Sequence, residues 1–132
     1  MMRTFLFAAA AAIIATAAIA QTPTTYAVRP GEAINLGAIS WVNSTTCQSL
    51  AVSKPDVEIL SGPPGLAVEV REMMVVPNNV GNCRNEVRGA QVWLTVPPDI
   101  EGTSAHVVTR VTHHDRNGPQ QRGFAFNLII AR

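Results

Sequence analysis

The chain has 132 residues, ten Lys and Arg against nine Asp and Glu, and two cysteines. A balance so close to neutral excludes wholesale electrostatic binding to nucleic acid, which needs a basic face. The length allows one domain of moderate core and leaves no room for a second.

The chain opens with "MMRTFLFAAAAAIIATAAIA". One positive charge, Arg3, precedes an uncharged apolar run, and Ala18-Ile19-Ala20 has the small-x-small pattern of a cleavage site. Residues 1–20 therefore read as a secretory signal peptide. The run is short and alanine-rich for a membrane span, so no span is expected after cleavage. No cysteine follows the cleavage point, which argues against a lipid anchor. The mature domain is expected over residues 21–132, in the periplasm or outside the cell.

The first strand candidates are "TYAVR" and "AINLGAISW", separated by an Arg29-Pro30-Gly31 turn. Trp41 closes the second and, with Trp93, is expected in the core, because large aromatic side chains dominate the burial of small cores, the alternative being one exposed patch; Trp93 alternates against Val92 and Leu94. Asn43-Ser44-Thr45 is a glycosylation sequon, idle if the host is bacterial. Cys47 follows in a run of turn-forming residues, and Cys83 lies in a similar one, "VGNCRN". After export into an oxidising compartment the two thiols are expected to join. Closing a loop of that length contributes roughly 4 kcal/mol in the chain-entropy account. Neither the C-x-x-C of redox pairs nor the four close ligands of a zinc site is present.

"VEIL" is a further strand candidate, and beyond it the alternation sharpens. "LAVEVRE" places Leu66, Val68 and Val70 on one face, and "QVWLTVP" does the same with Val92, Leu94 and Val96. "AHVVTRV" aligns Ala105, Val107, Thr109 and Val111. "FAFNLIIA" aligns Phe124, Phe126, Leu128 and Ile130. Period two in β-branched and aromatic residues is the strand signature. Seven or eight short strands divided by Pro/Gly/Asn turns predict an all-β, antiparallel β-sandwich.

From Cys47 to Ala131 the order is cysteine, a Pro-Gly turn, "GNCR", "RGAQVWLTVPPDIEG" and a terminal hairpin with an Asn-Gly tip. In this the chain resembles the small exported immunoglobulin-like or cadherin-like modules of bacteria. The resemblance implies an immunoglobulin-like sandwich and a role in recognition, adhesion or envelope scaffolding. The calcium ligands of cadherin-like modules are not matched, since "EGTSAH" offers only Glu101. The cysteine pair also lacks the wide spacing and intervening tryptophan of antibody domains.

"VTHHDRNGPQQRGFAF" is the most chemical-looking stretch. On a strand, His113 and His114 point to opposite faces. His106 and His114 share a face, but eight residues at ~3.3 Å each set them roughly 26 Å apart, too far for one metal ion. Asn117-Gly118 is a hairpin signal, so the polar run is expected to be a solvated tip. Met73 and Met74 with the histidines raise a copper carrier as an outside alternative. No nucleophile elbow or H-E-x-x-H motif occurs, so no catalytic residue, metal site or cofactor is assigned. A partner surface is expected around Arg110, His113, His114, Arg116 and Arg122. The expected role is a non-enzymatic exported module that binds an unidentified protein or envelope component. The alternative is a structural envelope component without a discrete ligand.

Overall fold

The computed structural model describes residues 23–77 and 80–132; the expected signal peptide lies outside the described residues. Those residues form seven strands: β1 (Thr24–Val28), β2 (Ala33–Ile39), β3 (Asp56–Ser61), β4 (Ala67–Val75), β5 (Val87–Thr95), β6 (Ser104–Asp115) and β7 (Gly118–Ile130). They make two sheets, one ordered β1-β7-β6-β3 and the other β2-β5-β4. No helix occurs among the described residues. The all-β sandwich-like architecture read from the alternation is present. The antiparallel expectation needs one amendment, because β1 runs parallel to β7.

The alternating residues face one another between the sheets. Leu94 and Val96 from β5 and its end meet Val107 of β6, Leu128 of β7 and Val28 of β1, all essentially without solvent exposure. Val68 of β4 and Ile59 of β3 pack against this cluster from the edges. Burying each such side chain contributes roughly 1.5–3 kcal/mol, and this is the main force joining the sheets. Tyr26 meets Phe126 edge-to-face with ring centroids 5.7 Å apart. Its hydroxyl donates to the Leu36 carbonyl at 2.9 Å, tying β1 across to β2.

β6 and β7 form the longest ladder, paired from Ser104↔Ile129 to Asp115↔Gly118. The connection is only Arg116 and Asn117. The Asn117 N–H donates to Asp115 Oδ1 at 3.0 Å, and Gly118 takes φ +111°, a conformation that disfavours a side chain. The solvated tip is thus far shorter than the polar run suggests. His113, His114 and Asp115 belong to β6, and the segment from Gly118 to Arg122 belongs to β7.

Residues 40–55, between β2 and β3, fold back on themselves. Val42 pairs with Ser49, and the Asn43 side chain accepts the N–H groups of Thr45 and Thr46 at 2.8 and 3.1 Å. Ala51 then pairs with Asp115, and the Val52 N–H donates to the His114 carbonyl at 2.8 Å. The disulfide Cys47–Cys83 joins this excursion to the β4–β5 connection, with the Cα atoms 5.3 Å apart. It bridges two loops at the pole of the sandwich where the β6–β7 tip also lies.

Candidate functional site

Trp41 leaves β2 and turns in over the end of β6. Its ring stacks on His113 with centroids 5.1 Å apart and an interplanar angle of 22°. The guanidinium of Arg122 lies 4.7 Å from the Trp41 ring centroid, a cation–π distance. The indole N–H donates to Asp115 Oδ2 at 2.9 Å. Trp41 is therefore a half-buried plug at one pole and not a member of the core. Trp93 departs from the core assignment too. It alternates against Val92 and Leu94, so it stands on the outer face of its sheet, where Arg71 covers it at 4.6 Å and Gln91 accepts its N–H at 3.2 Å.

His113 is 4% exposed on the inner face of β6. Burial holds its pKa below the ordinary imidazole value, with smaller contributions from the Arg122 and His114 charges. Asp115 is held below the usual carboxylate range by the Asn117 N–H, then by the Trp41 N–H. His114 points to the outer face, where its Nε2 lies 2.7 Å from Asp56 Oδ2. Four residues back along β6, Arg110 pairs with Glu58 at 2.9 Å.

The five residues of the expected partner surface therefore do not form one surface. Arg110 and His114 share the outer face of the four-stranded sheet, His113 and Arg122 are on the inner side around Trp41, and Arg116 occupies the tip. Strand alternation separates them, as it must for neighbours such as His113 and His114. Met73 and Met74 stand on β4, both exposed. Among the described residues no three His, Cys, Asp or Glu side chains converge as metal ligands would.

The sandwich is incompletely closed beside this plug. β1 pairs with Phe126–Ile130 only. Residues 118–125 of β7 thus have β6 on one side and, among the described residues, no strand on the other. Phe124 holds the same inward alternation as Phe126 but is 48% exposed. Behind it a cleft of about 270 Å³ opens between the sheets. Its walls include Tyr26, Leu36, Ile39, Val92 and Val111, and none of its lining side chains is charged. Thr24, the first residue of β1, stands at its mouth. Pro23 precedes that residue and carries no N–H for a ladder, which fits the point where β1 begins.

A second hollow, of about 410 Å³, separates the 40–55 excursion from the β6–β7 tip. Of its polar lining side chains, Asn43 and Asp115 are already engaged with backbone N–H groups and with Trp41. The open seam along β7 escaped sequence reading because alternation marks Phe124 and Phe126 alike. Whether a strand covers them depends on the length of β1.

No family model matches the chain, and no curated protein matches its sequence. Among solved structures the chain is similar to the solution structure of Amebosin, at 14% identity with a TM-score of 0.42. The similarity covers 82% of this chain and 89% of that one. That likeness is too distant to inform the fold or the function.

Proposed function

We propose that this chain is an exported, non-enzymatic recognition module of immunoglobulin-like build, and that it binds a protein partner at the open seam of β7. Lettering the strands in chain order supports the build. The three-stranded sheet then reads B-E-D and the other A-G-F-C, which is the immunoglobulin pairing with the first strand moved across to G. The disulfide differs from the antibody pattern, since it joins two loops rather than two core strands. A disulfide fits an oxidising compartment, and together with the leader-like opening it supports the periplasm or the exterior.

The observation that carries the binding role is the half-exposed Phe124 beside an apolar cleft and a strand edge with no partner among the described residues. Exposed edges are templates for a further strand and are usually covered or guarded. The outer face is a weaker candidate, because Arg110 already pairs with Glu58 and His114 already contacts Asp56. The test compares wild type with Phe124→Ser as bait in envelope extract. A partner held at defined stoichiometry by wild type and lost with Phe124→Ser, at unchanged melting temperature, supports the reading. Equal capture by both proteins overturns it.

A further inference from the structure

Resting on that reading, we infer that the occupant of the β7 seam is an extended peptide segment with an apolar side chain entering beside Phe124 and a carboxylate meeting Arg122. The edge of residues 118–125 offers backbone hydrogen-bonding groups that β1 leaves without a partner strand. An added strand places alternate side chains into the space between the sheets. The part of that space beside Phe124 is walled mostly by aliphatic and aromatic residues, so the side chain entering there must be apolar.

The next inward position along β7 from Phe124 is Arg122. Its guanidinium lies over Trp41, and none of the four salt bridges among the described residues includes it. A carboxylate two residues from the apolar anchor therefore finds a cation in register, and the planar guanidinium suits bidentate pairing. The same cation disfavours a second copy of this chain as occupant. In the register that sets residue 122 opposite its own copy, antiparallel pairing of two β7 edges would bring two Arg122 side chains together, and like charges opposite one another destabilise a sheet.

Trp41 supplies the readout, because a carboxylate on Arg122 changes the charge resting on its ring. The experiment titrates the purified disulfide-bonded protein carrying Trp93→Phe, so that Trp41 alone emits. The probe is an acetylated, amidated heptapeptide of alternating threonine and valine. A glutamate replaces the valine two residues before, or two residues after, the central one. One of the two orders is expected to shift Trp41 emission, saturably, at a Kd below about 1 mM. Alternate amides of residues 120–125 should gain hydrogen-exchange protection. Glutamine in place of the glutamate should weaken binding about fivefold at low salt. Arg122→Gln should lower the affinity for the glutamate peptide to that same level, with no further loss for the glutamine peptide.

Absence of binding by both peptides, equal affinity for the glutamate and glutamine versions, or a dimer whose seam amides are already protected each overturns the inference. The reading beneath it fails separately. If envelope capture depends on Phe124 but the peptides do not bind, only the inference falls. If capture is indifferent to Phe124, both fall.

Discussion

At the scale of single residues, His113 shows how position along a strand sets chemistry. It is one of two adjacent histidines, yet β6 turns it inward while His114 faces Asp56 outside. Burial beneath Trp41 disfavours the imidazole as a cation, and Arg122 and His114 nearby add to this. Its folded pKa therefore lies below that of the unfolded chain, about 6.5. Between those two values the unfolded chain binds more protons than the folded one. Stability accordingly rises with pH there, and it is lost as pH falls below about 6.5. Urea midpoints from pH 7.5 to 5 should decline, and His113→Phe, which keeps an aromatic ring against Trp41 but cannot titrate, should flatten the decline. The Asp115 contribution occupies a different window. Its lowered pKa stabilises the fold above about pH 4 and fades below that. An unchanged slope in His113→Phe would remove the histidine from the account.

At the scale of elements, the packing of β5 between β4 and β2 depends on close approach at Gly89. A Cβ built on Gly89 would overlap Val75 Cγ2 and stand 2.6 Å from the Ile39 carbonyl oxygen. Both neighbours are constrained, one in a buried side chain and one in the backbone of β2. Gly89→Ala should therefore cost about 1–3 kcal/mol, read as a lower urea midpoint at unchanged slope. The strands themselves were largely legible beforehand. Val92, Leu94 and Val96 alternate cleanly, and so do Val107, Thr109 and Val111, because each set meets the opposite sheet along its length. Pairing was not legible in the same way. The parallel β1–β7 contact joins Thr24 to Phe126, and no local period encodes a contact so distant in sequence. Trp41 illustrates the same limit, since its partners His113, Asp115 and Arg122 come from the far end of the chain. The polar run near Asn117 suggested a loop by composition. Register with β6 made most of it strand, and only Arg116 and Asn117 remain as the turn.

At the scale of the whole molecule, the covalent link and the seam lie toward the same pole. Cys47 and Cys83 close a separation of 36 residues between two long connections, whose ends the β-ladders already fix. Replacing both by serine removes roughly 4 kcal/mol in the chain-entropy account, a large share of the ~5–15 kcal/mol usual for such domains. Guanidinium unfolding of the double variant should show a midpoint lowered to match. If it unfolds with wild-type stability, the link contributes only local order to the loop carrying Trp41. The opposite pole is held without covalent help. Arg132 donates to the carbonyls of Ile100 and Gly102 at 2.8 and 2.9 Å, and the Ala131 N–H to Val28 at 2.7 Å.

The meeting of Pro23 and Thr24 at the mouth of the seam has a practical consequence for any fusion protein. Whatever is spliced ahead of Pro23 is tethered a few residues from the edge of residues 118–125, at an effective concentration on the order of millimolar. An affinity tag placed there competes with a true ligand as an intramolecular decoy, whereas a tag after Arg132 hangs from the far pole and leaves the binding equilibrium untouched.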